Sequence, residues 1–258
     1  MTFDATRIEE ALARSGASWG RPLVFARETG STNDDAKIAA RSGAPSGAAF
    51  WADAQTSGRG RLGRRWHSPP GENLYVSFVF RPSFDLSLAP LVTLAAGLAV
   101  VDAVEPLVSQ CAPMIKWPND VLVRDRKLAG ILTEGQLGED RGPWIVIGVG
   151  INVTTASFPP EAGRATSLAL AGAASLDRSD LFVSLALSLA SRIGRLGEAG
   201  PRDTVAELAR RDALFGRAIS IDGRPAAACG IAEDGRLRVR YADGTETACV
   251  AGDVQLRL

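Results

Sequence analysis

The sequence predicts an α+β fold: a mostly antiparallel sheet backed by helices, followed by a small all-β unit. Three observations carry this reading. β-prone and helical runs follow one another without the regular alternation of a parallel α/β fold. Leu88 to Val108 is a predominantly apolar stretch of helical length. From Phe215 onward, three Asp-Gly pairs punctuate short β-prone runs.

The elements follow in order. Residues 5–15 form an amphipathic helix with Ile8 and Leu12 four apart, stopped by Gly16. Residues 22–28 form a strand. Ser31 or Thr32 then caps a helix whose first turn carries Asp34 and Asp35, which suits the positive end of its dipole, and Gly43 and Pro45 end it. Residues 48–54 and 73–80 are strands. The segment between them is aperiodic and dense in Gly, Arg and Pro, and long loops of that kind inside compact domains are usually functional. After the apolar helix come three β-rich pieces: MIKW, VLVRDRKLAGILTE with a turn near Arg124 to Arg126, and PWIVIGVGINV. A second amphipathic helix runs from Asp180 to Leu196 and stops at Gly197, and a third covers Asp203 to Leu214. Asp222-Gly223, Asp234-Gly235 and Asp243-Gly244 separate AISI, LRVRY, ETACV and VQLRL, the pattern of a small SH3-like barrel. The expected division is a main domain over residues 1–213 and a barrel over 214–258.

Composition bounds the class. At 258 residues and 46% hydrophobic content the chain buries a core without metal or disulfide staples. Lys+Arg and Asp+Glu both number 29, which disfavours a general nucleic-acid coat protein but leaves a local basic patch open. Cys111, Cys229 and Cys249 lie far apart and His67 is the single histidine, so no structural zinc spacing exists, and sparse thiols suggest a reducing compartment. The acidic N-terminus lacks signal-peptide order. The longest apolar stretch, Leu91 to Val104, reads as too short to span a bilayer and contains Asp102. A cytoplasmic protein with no membrane partner is expected. Of the 29 basic residues only Lys37, Lys116 and Lys127 are lysines, a bias that singles out Lys116 and Lys127 as point charges, with Lys37 read as incidental.

Four stretches carry chemistry. Gly58, Gly60 and Gly63 alternate with Arg59, Arg61 and Arg64, followed by Arg65 and Trp66. Glycines let backbone N–H groups approach an anion, and arginines supply forks for carboxylate and phosphate oxygens. The spacing approaches a P-loop, but Arg64 and Arg65 stand where lysine and Ser/Thr are required, so that reading fails. A solvated basic loop and an RNA-binding Gly-Arg segment are the alternatives. In Lys116-Trp117-Pro118-Asn119-Asp120 the proline fixes a bend, and lysine, amide and carboxylate together suit a phosphate, a sugar or metal, and an incoming amine. An exposed strand–turn–strand corner explains the same residues. Lys127 to Glu134 reads as a strand whose Gly130 leaves room for a ligand or a close backbone, or as a half-buried strand with a snorkelling lysine. Gly148-Val149-Gly150-Ile151-Asn152 fails as a dinucleotide fingerprint because Val153 stands where the last small residue belongs. His67 has no nucleophile or acid nearby in sequence and reads as a loop residue.

Taken in order, Gly-Ser-Thr-Asn (30–33), Gln55 with Gly-Arg-Gly-Arg-Leu-Gly-Arg (58–64), Lys-Trp-Pro-Asn-Asp (116–120), Lys-Leu-Ala-Gly (127–130) and Gly-Val-Gly-Ile-Asn (148–152) resemble the biotin–protein ligase family over nearly the whole chain. The resemblance implies a class II synthetase-like mixed sheet plus the SH3-like barrel. It also implies an activity: biotin and ATP give biotinyl-5'-AMP and pyrophosphate, and biotin then passes to a lysine of a biotin carboxyl carrier protein such as that of acetyl-CoA carboxylase. Only about 28 residues precede Gly-Ser-Thr-Asn, too few for a winged helix-turn-helix, so a single-function ligase without DNA binding is expected.

By the same resemblance the catalytic residues are Arg59, Arg61, Lys116 and Asp120. Arg59 and Arg61 grip the biotin carboxylate and the phosphate, and Lys116 sits at the junction of α-phosphate and acyl group. Ser31, Thr32 and Gln55 meet the ureido ring, Trp66 forms the wall, and Asn33, Gly58 and Gly130 complete the biotin site. The nucleotide side adds Arg64, Asn119, Lys127, Asn152 and Arg257, the last over the adenine. No protein metal site is implied; Mg²⁺ comes with ATP. Asp120 orients the acceptor amine and helps remove its proton, or binds Mg²⁺, or holds Lys116. The Gly-Arg loop closes over a labile mixed anhydride. A homodimer through a sheet edge is expected. The competing readings are a lipoate or octanoate acyl ligase of the same superfamily and a non-catalytic biotin-binding regulator.

Overall fold

The computed structural model describes residues 3–108, 110–136, 142–174 and 176–256. Among these, seven strands form one sheet: β1 (Leu23–Thr29), β2 (Ala49–Gln55), β3 (Leu74–Phe80), β4 (Met114–Lys116), β5 (Asp120–Val123), β6 (Arg126–Gln136) and β7 (Trp144–Ile151). Their order across the sheet is β1-β2-β3-β7-β6-β5-β4. β1 and β2 pair parallel and the other neighbours antiparallel. The parallel pair needs a crossover, and α2 (Thr32–Arg41) supplies it.

Both faces of this sheet are covered. α3 (Ala89–Val104) and α4 (Arg178–Ala199) pack on one face with α1 (Ala5–Ser15), while α2 lies on the other. β3 is therefore buried along its whole length. Leu74, Val76, Phe78 and Phe80 join the main core around Phe182, and Val79 joins a smaller cluster with Ala36, Ala40, Trp144 and Val146 under α2. α3 is buried on nearly every side, as a helix with apolar residues all round must be in water. The apolar run around it is longer than the sequence suggested: Leu86–Leu107 is long and apolar enough to cross a membrane by length and composition, but 67% of its most apolar window is buried against the rest of the protein.

α5 (Pro201–Arg211) leads into a second sheet of β8 (Ala218–Ile221), β9 (Arg224–Ile231), β10 (Leu237–Arg240), β11 (Glu246–Cys249) and β12 (Val254–Leu256), ordered β11-β10-β9-β8-β12 and antiparallel throughout. This is the make-up of an SH3-like sheet. All three Asp-Gly pairs fall between paired strands, and Asp222 and Gly223 both adopt positive φ, +49° and +81°, as a tight primed turn requires.

Two expectations need correction. β9 was not anticipated, because RPAAACGI carries proline, glycine and small residues instead of β-branched ones; pairing on both sides by β8 and β10 makes it a strand. Gly197 does not stop α4, which continues to Ala199. A Cβ at Gly197 would lie 2.8 Å from Phe84 Cδ1, so the glycine serves helix packing, and Gly200 at φ +73° ends the helix.

Candidate functional site

The cleft lies on the α2 side of the first sheet, and its floor is one cross-strand row. Lys116 on β4 is the register partner of Asp120 on β5, Asp120 of Gly130 on β6, Gly130 of Gly150 on β7, and Gly150 of Tyr75 on β3. Residues in such a row share one face of a sheet. This explains why Lys116 and Asp120 flank a three-residue turn: the β4–β5 hairpin folds the motif so that its two charged ends stand side by side. The Trp117–Pro118 peptide in that turn is cis.

The two glycines in the row clear space for Trp66. A Cβ at Gly150 would lie 2.6 Å from Trp66 Cε2 and Nε1, and one at Gly130 would lie 2.9 Å from Cζ3. The indole thus rests on bare backbone and walls the cleft, with Lys127 Nζ 5.2 Å from its ring centroid. Gly148, one row further along β7, makes the same allowance for Asn33: a Cβ there would sit 2.0 Å from Asn33 Oδ1. The glycines that imitate a dinucleotide fingerprint are therefore clearances for two side chains.

The N-terminus of α2 forms one end. Ser31 is its N-cap, without the side-chain capping bond expected of it. Thr32 N–H donates to Gln55 Oε1 at 3.0 Å, and Gln55 Nε2 donates to Ser68 Oγ at 3.0 Å. Buried Ser77 Oγ lies 2.8 Å from Thr32 Oγ1 and 2.6 Å from Asn33 Oδ1; the amide oxygen only accepts, so the Ser77 proton goes there. Asn33 Nδ2 donates to Glu134 Oε2 at 2.8 Å and to the Leu132 carbonyl at 3.2 Å.

The charges are unevenly placed. Burial pushes the Lys116 ammonium below its ordinary range, against the attraction of Asp120. Burial likewise lowers Arg61, whose Nη1 is 3.4 Å from Asn119 Oδ1. Lys127 Nζ lies 2.7 Å from Asp120 Oδ1, a close ion pair that lacks aligned hydrogen-bond geometry. Arg64 pairs with Asp253, and Gly252, Asp253 and Val254 bring the second sheet to the rim. Trp117 Nε1 donates to the Gly235 carbonyl at 2.9 Å, tying the β4–β5 corner to the β9–β10 turn.

These features invite comparison with known proteins. A family model described as the biotin/lipoate A/B protein ligase family matches residues 26–152. Over 225 residues the chain is 37% identical to a biotin--[acetyl-CoA-carboxylase] ligase of Mycobacterium tuberculosis, covering 85% of this chain and 81% of that protein. The chain belongs to the biotin protein ligase family. A bifunctional ligase/repressor of Bacillus spizizenii is 40% identical over 176 residues, 67% of this chain and 54% of the relative, so the chain spans about half of that protein's length. The biotin protein ligase of Aquifex aeolicus, solved in complex with biotin and ATP, superposes with a TM-score of 0.75 at 28% identity, covering 92% of this chain and 99% of that one.

In this member of the family, Ser31, Thr32, Asn33, Gln55, Arg59, Arg61, Arg64, Trp66, Lys116, Asn119, Asp120, Lys127, Gly130 and Asn152 all line the cleft, and His67 joins them. Gly58 does not: it sits beneath the loop, where a Cβ would meet Ser68 Oγ at 2.6 Å and the Trp66 carbonyl at 2.8 Å. The Asn152 amide nitrogen is spent on the Thr166 carbonyl at 2.9 Å. Arg257 lies outside the described residues. Lys37 is not incidental, since its Nζ is 2.8 Å from Glu134 Oε1 and 3.0 Å from Asp34 Oδ1. Asp34, Glu134, Ser77 and Asp253 were missed. An Asp or Glu on a helix or strand gives no local signal that it will face an arginine far along the chain, and a serine in an apolar strand gives none either.

Proposed function

We propose that this chain activates biotin with ATP to biotinyl-5'-AMP, releasing pyrophosphate, and then transfers biotin to the ε-amine of a lysine on a biotin carboxyl carrier protein. One observation carries the reading: a single row of the sheet puts Lys116 and Asp120 side by side next to a tryptophan wall, with Arg61 over the same opening. The apolar wall and few placed polar groups suit biotin, and the identity to the Mycobacterium tuberculosis ligase points the same way.

In the first step a biotin carboxylate oxygen attacks the α-phosphorus and pyrophosphate leaves. The reacting groups repel as anions, so fixed cations lower the barrier mainly by electrostatics and positioning. In this reading Arg61 and Lys116 supply that charge from a partly desolvated site where it acts strongly. Mg²⁺ enters as part of the substrate MgATP. Asp120 Oδ1, buried and without an aligned donor, suits either that ion or an amine. In the second step the acceptor amine attacks the acyl carbon of the mixed anhydride, an amide forms, and AMP leaves with the C–O bond electrons. An acceptor lysine with a pKa of about 10.4 must first lose a proton, and Asp120 is assigned to orient the amine and take it.

The same reading treats residues 1–213 as the catalytic domain and 214–258 as an SH3-like domain, and places the enzyme in the cytoplasm. It assigns no role to DNA, and α1 packs on the core through Ile8 and Leu12. A homodimer would use a sheet edge, and β1 with exposed Val24 is one.

The test is the intact mass of a purified carrier domain after incubation with this protein, ATP, Mg²⁺ and biotin. One biotinyl addition is expected, absent without ATP and absent when the target lysine is replaced. Pyrophosphate exchange supported by lipoate instead of biotin would favour the acyl-ligase alternative. Absence of both exchange and transfer would leave a binding protein.

A further inference from the structure

The two arginines of the Gly-Arg loop do not point at the same thing. Arg61 faces Asn119 and Asp120 across the cleft. Arg59 turns its fork the other way: Nη1 is 2.5 Å from Asp34 Oδ2, Nη2 is 2.6 Å from Asp34 Oδ1, and Nη2 is 3.5 Å from Glu134 Oε2. Such a two-pronged arginine–carboxylate pair fixes direction as well as distance. Lys37 bridges the two carboxylates from beneath, at 3.0 and 2.8 Å. Asn33 then joins Glu134 to Ser77, and Ser77 reaches Thr32.

We propose that Arg59 is the anchor of the loop and not a ligand-gripping residue, and that Asp34, with Glu134 behind it, is the positioning residue that seats it. The inference rests on the ligase reading for what the loop covers, but not for the anchor itself. The geometry assigns the anion contacts to Arg61, whose guanidinium has no carboxylate at hydrogen-bond distance among the described residues, while both outer nitrogens of Arg59 are taken. It also gives the loop a physical connection to the opposite end of the cleft: the network that holds Arg59 ends on Thr32, whose own N–H is held by Gln55. A loop seated in this way keeps Gly60, Arg64 and Trp66 in their hydrogen bonds, Gly60 N–H to the Arg64 carbonyl at 2.7 Å and Trp66 N–H to the Gly58 carbonyl at 2.9 Å. Trp66 is the wall of the cleft, so the seat acts on ligand retention through it.

The experiment is amide hydrogen exchange of Gly60, Arg64 and Trp66 in the purified full chain without ligand, for wild type, Asp34→Asn, Arg59→Ala, the double variant and Asp34→Glu. Removing either partner is expected to speed exchange by about tenfold, as local opening of a loop does. The double variant should add nothing to the larger single effect, and Asp34→Glu, which keeps the charge, should restore protection. Unchanged exchange in Asp34→Asn, or effects that multiply in the double variant, would overturn the anchor. A second arm measures dissociation of preformed biotinyl-AMP. Faster release in Asp34→Asn, recovered in Asp34→Glu, is expected, and release at the wild-type rate would overturn the positioning role. A wild-type chain that fails to bind biotinyl-AMP would instead refute the ligase reading, and the exchange arm would still decide the anchor.

Discussion

Lys116 and Asp120 stand directly opposite each other across the β4–β5 hairpin, on one face of the sheet. Burial depresses the Lys116 pKa and Asp120 opposes that depression. The rate of biotin-dependent pyrophosphate exchange is therefore expected to fall on the alkaline side below the ordinary lysine value of about 10.4. Asp120→Asn removes the opposing charge and should move that limb to lower pH still, while Lys116→Arg should abolish it. The linkage sign agrees: the folded chain holds this proton less tightly than the unfolded one, so the Lys116 contribution to stability rises as pH climbs toward 10.5. A limb at the ordinary lysine pKa, unmoved by Asp120→Asn, would break this connection.

Transfer isolates the second role of Asp120. With preformed biotinyl-AMP and a carrier domain, Asp120→Asn is expected to slow biotin transfer by about a hundredfold or more at neutral pH, the usual range for a lost general base. The deficit should shrink as pH approaches the acceptor lysine's own pKa, because the amine then needs no help. Full transfer rate in Asp120→Asn would remove the base assignment and leave the orienting role.

Gly150 and Gly194 make a matched pair. A methyl at Gly150 collides with the Trp66 ring, whereas Gly194 in α4 has nothing within 4 Å of the added Cβ. Gly150→Ala is expected to displace the cleft wall and weaken biotin binding at least tenfold by calorimetry, the scale of an overpacking cost of about 1–3 kcal/mol. Gly194→Ala should stabilise the fold by about 0.5–1 kcal/mol in urea, since an exposed helix interior prefers alanine. Equal affinities in the two variants would mean that Trp66 does not wall the ligand.

Asp34 supplies an acid signature. Its bond to Arg59 lowers its pKa from 3.8 to about 2. A depressed carboxylate stabilises the fold above its unfolded pKa and loses that contribution as pH falls through the folded value. The stability gap between wild type and Asp34→Asn should be about 0.5–1 kcal/mol near neutrality, after screening of a half-exposed pair. It should fade between about pH 4 and pH 2. A gap that stays constant across that window would mean the asparagine costs packing and not charge.

Much of this was legible along the chain because it depends on local rules. The Asp-Gly turns, the apolar α3, the glycine stop of α1 and the motif order that identifies the family are all written in neighbouring residues. The fourteen predicted residues that meet in one cleft were legible for the same reason, through motifs. β9 was not, since its strand character comes from its two partners, nor was the true end of α4, since Gly197 answers to Phe84 from more than a hundred residues away.

By itself, then, the sequence determined most of the order of elements, the family and fourteen of the residues around the cleft. What only the tertiary structure decided is how those residues divide the work. Arg59 and Arg61 look equivalent two positions apart, yet one meets Asp34 and the other Asn119. In the sequence Gly130 reads only as room for a ligand or a close backbone, and Gly148 and Gly150 only as a failed dinucleotide fingerprint, yet each is a clearance for a named side chain. The reason is physical: charge pairing and steric clearance are set by distances between segments far apart in the chain, and those distances exist only once the sheet has brought β4, β5, β6 and β7 into register.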